Sequence, residues 1–185
     1  MSRDLNIGNY DANGNLKVTN VEGLQGTYAV AAVAVTPVAT PTDVVTVYGS
    51  ATKTVRVKNV TVSGVATTAG SMDVSLIKRT AANTVGTFTV PVAAKFDSSD
   101  AAPTAALKQY SANPTVGAGV ALATKKLNMG VPGAGGVVTF DFATRNDKAL
   151  ILRGVAEGLA INLNGQAVPD GGTITYAVEF EEDNS

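Results

Sequence analysis

Leu159-Ala-Ile161-Asn-Leu163 and Thr173-Ile174-Thr-Tyr176-Ala-Val178-Glu-Phe180-Glu181 are the stretches whose reading decides the fold. In the first, Leu159, Ile161 and Leu163 alternate with small or polar residues; in the second, Ile174, Tyr176, Val178 and Phe180 alternate with Thr173, Thr175, Glu179 and Glu181. A period of two sends successive side chains to opposite faces of a strand, so each stretch predicts a β-strand with one apolar face. Thr173, Thr175, Glu179 and Glu181 are expected on the wet face. Between the two stretches lie Asn164-Gly165 and Asp170-Gly171-Gly172, residues that adopt tight turns at little cost.

The same signal recurs upstream. Asp43 to Tyr48 reads as a strand, and from Thr54 to Ser63 the apolar positions run Val55, Val57 and then Val60, Val62. That change from odd to even at Lys58-Asn59 is the phase slip a β-bulge produces, an extra residue inserted in one strand of a pair; the alternative is one strand ending there and a second beginning, and the bulge is the preferred reading. Met72, Val74 and Leu76 predict another strand, Phe88 and Val90 a half-buried one, and Val120 to Met129 a further one; Val138, Phe140 and Phe142 are expected to face inward. Tyr28 to Val35 and Ala149 to Leu152 are apolar on both faces, which suits strands covered on both sides, within the protomer or by another copy. Ala101 to Tyr110, after Pro103, is the one stretch read as a short helix. About nine or ten strands spaced in this way predict a sandwich or jelly roll.

Composition agrees. Among 185 residues Val, Thr and Ala are abundant, and 19 glycines and 7 prolines punctuate short runs. β-Branched side chains lose rotamer freedom in a helix and pack well on a pleated surface. With a net charge of −1 and 16% charged residues, no basic field is available to hold a phosphate backbone, so nucleic acid is not an expected partner. No apolar run is long enough to cross a bilayer as a helix, and the polar N-terminus lacks the core of a secretory signal; synthesis in a cytoplasm is expected.

The chain contains neither His nor Cys. Ser-His-Asp and Cys-His nucleophile pairs, disulfides and the usual zinc sites are therefore excluded. Asp97, Asp100, Asp141, Asp147 and Glu157 could in principle supply a carboxylate pair for glycoside cleavage, but nothing singles out two of them, and solvated loop acids are the expected reading. Asp11-Ala-Asn13-Gly14-Asn15 resembles the start of a calcium loop, and Glu22 falls at its twelfth position. Leu16 occupies the sixth, where the loop needs glycine, so a simple turn is expected instead. Gly130 to Gly136 lacks the Lys-Ser/Thr ending of a phosphate loop. Tyr10, Tyr28, Tyr48 and Tyr110 leave a carbohydrate site open. No cofactor, no metal and no enzymatic activity are expected.

The first 26 residues stand apart from the sandwich domain, residues 27–185. They are rich in Asn, Gly and Asp, and their apolar residues, Leu5, Ile7, Leu16, Val18, Val21 and Leu24, are too scattered for a core face. Fixing a backbone residue costs about 1–2 kcal/mol, more than these few side chains return by burial within so short a segment. The segment could form a loose hairpin around Asn13-Gly14 or an extended N-terminal arm; the arm is the preferred reading, with those six residues as candidate assembly contacts on a neighbouring subunit or shell.

Val47-Tyr-Gly-Ser-Ala-Thr-Lys-Thr-Val-Arg-Val-Lys58, Ser75-Leu-Ile-Lys-Arg-Thr-Ala-Ala-Asn-Thr84, Tyr110-Ser-Ala-Asn-Pro-Thr115 and Leu152-Arg-Gly-Val-Ala-Glu-Gly-Leu-Ala-Ile-Asn-Leu-Asn-Gly165 resemble text of tailed-bacteriophage virion structural proteins. The resemblance spans roughly Tyr48 to Glu182. It implies a jelly-roll-type β-sandwich forming a homotrimer on the outer surface of the virion. The expected role is a capsid decoration or cement protein, its partners the major capsid protein or another virion protein and copies of itself. The alternative is a receptor- or carbohydrate-binding module of a tail fibre or spike.

Overall fold

The computed structural model describes residues 25–142 and 149–184. The arm candidates Leu5, Ile7, Leu16, Val18, Val21 and Leu24, the Asp11–Glu22 loop and Asp147 lie outside them. The described residues are all-β: two antiparallel sheets packed face to face.

The first four strands alternate between the sheets. β1 (Gly26–Val35), β3 (Lys53–Val65), β9 (Gly136–Asp141), β10 (Leu150–Leu152) and β12 (Thr173–Asn184) belong to the first, together with the two-residue β6 (Ala94–Lys95). The second holds β2 (Asp43–Tyr48), β4 (Gly70–Arg79), β8 (Gly119–Met129) and β11 (Gly158–Asn162), extended at one edge by β7 (Leu107–Tyr110) and β5 (Phe88–Thr89). The first long strand pairs with the last, β1 with β12, and the second with the penultimate, β2 with β11. β3 then joins β12 while β4 joins β11, with β9 and β10 outside β3 and β8 outside β4. That nesting is the jelly-roll order, in which one long hairpin wraps around the core.

The core lies between the inner faces. Val55, Val57, Val60, Val62, Ile174, Tyr176, Val178 and Phe180 of the first sheet meet Val45, Val47, Met72, Val74, Leu76, Leu159 and Ile161 of the second, all buried. The bulge stands where the valine phase slips: Glu179 pairs with Asn59 but Phe180 with Val57, leaving Lys58 as the extra residue. Both valine pairs of β3 thereby face inward. Across the core, the Tyr176 hydroxyl donates to Gln109 Oε1 at 2.7 Å, tying β12 to β7.

Four expectations are corrected. Leu107–Tyr110 is a strand, not the end of a helix, because β2 and β5 pair with it on either side and take its backbone groups. The Phe88–Val90 segment is a two-residue strand with both apolar side chains exposed, since it turns away at Pro91 to cross between the sheets. Beyond Tyr28 and Val30, β1 is not covered on both faces: Ala31, Val33 and Ala34 are exposed, because β6 pairs only with Tyr28 and Ala29. Glu181 is 3% exposed rather than on a wet face, its carboxylate bonded to the ammonium of the bulged Lys58.

Candidate functional site

Asp43 is the centre of a buried polar cluster. It opens β2, on the face of the second sheet turned away from the core, and is fully buried. Its carboxylate accepts from Arg79 Nε (3.0 Å) and Nη2 (2.6 Å), Asn83 Nδ2 (2.7 Å) and Asn162 Nδ2 (2.6 Å). Arg79 Nη1 donates onward to the Gly117 carbonyl at 2.9 Å, and the Gly117 amide donates to Asn83 Oδ1 at 2.8 Å. The Asn83 amide donates to the Tyr48 hydroxyl, which lies 3.4 Å from that of Tyr110.

The cluster exists because of what lies above it. Between β4 and β8 the chain leaves one side of the second sheet, builds β5 on the other, passes through β6 at the edge of the first sheet, builds β7 beside β5, and crosses back. Both crossings run over the outer face, bridged to each other at Thr84 and Thr115, which is why the outward-facing Thr46 and Ala160 are buried. Two glycines allow the approach: a Cβ on Gly117 would collide with the Ala81 carbonyl, and one on Gly158 would meet the Tyr48 ring at 2.7 Å. Each carboxylate oxygen of Asp43 thus accepts from two donors, and Arg79 is held by both Asp43 and a carbonyl. A general acid needs an exchangeable proton, a nucleophile a free lone pair, and both a route to substrate; this cluster has its hydrogen bonds occupied by the fold and acts as a clamp on the two crossings.

A second group lies along the end of β12. Arg56 Nη2 meets Asp183 Oδ2 at 2.6 Å, Lys58 pairs with Glu181, and Lys53 Nζ lies 3.4 Å from Glu182 Oε2. Glu182 Oε1 also accepts from the amides of Thr104 (2.7 Å) and Ala105 (2.6 Å). These contacts anchor the loop that returns from β6 to β7.

Of the acids weighed for glycoside chemistry, Asp97 and Asp100 share one turn, the Asp100 amide donating to the Asp97 carbonyl at 3.1 Å, while Asp141 and Glu157 belong to other segments. Asp97 accepts from Ser99 in its own turn, and those bonds hold its carboxyl below the usual carboxylate range. Asp141 accepts from Asn59 at the end of β9, and Glu157 pairs with Lys78 near β10. Among the described residues, no three Asp or Glu gather closely enough to hold a metal ion. Gly130 to Gly135 connects β8 to β9, which begins at Gly136. Tyr28, Tyr48 and Tyr110 are buried, so none offers a ring face to a sugar, and Tyr10 lies outside the described residues; among those described, the exposed aromatics are Phe88 and Phe96.

What the surface does display is apolar. Twelve large hydrophobic side chains of the described residues are exposed, from Val33 on β1 to Val155 before β11. The alternation read from the sequence missed part of this set, because it assigned Phe88, Val90 and Val120 to strands without showing that those strands lie at sheet edges. Comparison of the chain with protein-family models, curated proteins and solved structures gives no match.

Proposed function

We propose that the chain is a non-enzymatic structural protein of a tailed-phage virion, a decoration protein that binds the outer surface of the head and cements it. One observation carries the reading: the described residues present twelve large apolar side chains outward, while the buried Asp43 cluster spends its hydrogen bonds within the fold. Such a surface is suited to being covered by other protein. Jelly rolls serve capsids and lectins alike, so the fold leaves function open and the surface must choose. The resemblance of the Val47–Lys58 and Leu152–Gly165 text to phage structural proteins points the same way. The partners are copies of the chain, as a homotrimer, and the major capsid protein.

Quantitative mass spectrometry of purified particles tests the proposal. A decoration protein is present in copies on the scale of the shell lattice; a tail component is present in a handful. The handful, joined by glycan-array binding that Phe88→Ala or Phe96→Ala abolishes, would replace this reading with the tail-fibre alternative.

A further inference from the structure

The two crossings over the second sheet, residues 80–87 and 111–118, contain no Asp, Glu, Lys or Arg, in a chain of which 16% is charged. Most of their residues are exposed. Each crossing carries the same triplet, Thr84-Val85-Gly86 and Thr115-Val116-Gly117, and the two pair at their threonines. The Thr84 amide donates to the Thr115 carbonyl at 3.0 Å, and the Thr115 amide to the Thr84 carbonyl at 2.8 Å. Val85 is 79% exposed and Val116 42%.

Val85 is an unfavourable residue where it stands. Its φ is 56°, in the left-handed region, and Gly86 follows at 78°. Two successive residues there make a turn that suits Asn-Gly, and a β-branched side chain is among the least fitted to it. The fold supplies its own comparison: Asn164-Gly165 takes a similar pair of angles, 57° and 64°, with the residues the turn prefers. The chain is held in this conformation from both sides. Before the turn, Asn83 is bound to Asp43, Tyr48 and Gly117. After it, the Thr87 carbonyl accepts from the amides of Ser111 (2.9 Å) and Ala112 (3.2 Å). Neither burial nor conformation accounts for a valine at this position, where asparagine would relieve the strain and solvate the turn. Strain kept in place by surrounding structure is a mark of functional sites.

We propose that the two crossings form the face that attaches to the particle, with Val85 as its anchor, seated in an uncharged apolar depression of the major capsid protein. Interface centres are depleted of charge, and a few anchors set in pockets carry most of the binding energy. Having no cation, the face offers nothing to a phosphate backbone or an anionic lipid surface. Having no charge of either sign, it disfavours a partner that would bury one against it. Two projecting turns are both convex, so copies related by a two-fold axis through this face would meet tip to tip. A concavity on a different protein is the match. The proposal rests on the decoration reading above and names the surface that does the attaching.

Val85→Asn separates strain from attachment. Its melting temperature is expected to rise by about 2–4 °C as the strain is relieved, while its affinity for heads that lack the protein falls at least about tenfold. Val33→Asn, which alters an equally exposed valine on β1, is expected to leave attachment unchanged. Attachment of Val85→Asn at the unchanged protein's affinity would overturn the assignment of this face and leave the decoration reading intact. An equal loss in Val33→Asn would likewise overturn the assignment. A Val85→Asn variant that melts no higher would show that the fold itself uses the valine, removing the reason for an outside partner. Failure of the unchanged protein to attach overturns the decoration reading and the shell as occupant together. Self-association by light scattering that Val85→Asn abolishes would make the occupant a second copy instead.

Discussion

Asp43 shows how much a single side chain can hold. Removing one partner of a buried ion pair leaves the other charge without compensation and costs about 3–5 kcal/mol, whereas exposed pairs contribute about 0–1 kcal/mol. Asp43→Ala is therefore expected to lower the unfolding free energy by several kcal/mol and to free both crossings over the second sheet, while Asp73→Ala, which breaks the more exposed pair with Lys126, changes it little. Chemical denaturation of the two variants checks this, and equal losses would mean that Asp43 is no clamp. The sequence marked Asp43 only as the start of a strand. Its partner Asn162 lies 119 residues away, and no local pattern brings the two together.

The tyrosines give a second test at this scale. Burial pushes the Tyr176 hydroxyl up to about 12 from an ordinary 10.0. Burial raises those of Tyr28 and Tyr110 as well, helped by Glu182 and Asp100 at Tyr28 and by Tyr48 and Asp43, against an opposing bond from Asn83, at Tyr110. A raised value means that the native state keeps its proton longer than the unfolded chain, so the stabilisation is complete below about 10 and is lost as pH rises through about 12. Denaturation measured across that window should show the loss, and Tyr176→Phe should reduce it. A pH-independent stability there would contradict the burial assigned to these rings.

At the scale of the element, the bulge in β3 was legible because the valines change parity around it. Deleting Lys58 restores a single parity, so that Val55, Val57, Val60 and Val62 still face inward. Deleting Thr61 sends Val62 to the outer face, because a one-residue slip reverses every side chain beyond it. The Lys58 deletion, combined with Glu181→Gln so that no buried carboxylate is left alone, is expected to fold with modest loss; the Thr61 deletion is expected not to fold. Circular dichroism and thermal melting decide, and equal damage would place the bulge elsewhere. Other elements resisted reading for physical reasons. In Tyr28–Val35 the side chains are small on both faces, so periodicity could not tell an edge strand from a central one. In Leu107–Tyr110 pairing with β2 on one side and β5 on the other overrides local preference.

At the scale of the molecule, alternation gave the strands and their faces but not their partners. Leu159–Leu163 and Ile174–Phe180 were read side by side, yet β11 and β12 lie in opposite sheets, and only the nesting of β1 with β12 and β2 with β11 makes the fold a jelly roll. The candidate site was less legible still, since the Asp43 cluster is assembled from segments as distant as Arg79, Gly117 and Asn162. The arm remains a sequence reading: removing residues 1–24, just short of β1, is expected to leave the melting transition of the sandwich unchanged while weakening attachment to particles. Full attachment by the truncated protein would remove Leu5, Ile7, Leu16, Val18, Val21 and Leu24 from the interface. The decoration role itself is tested most directly by adding purified protein to heads that lack it and measuring occupancy and the temperature at which the heads rupture. Saturable binding at a stoichiometry set by the shell lattice, with a raised rupture temperature, is the predicted result; heads that neither take up the protein nor gain heat resistance would contradict it.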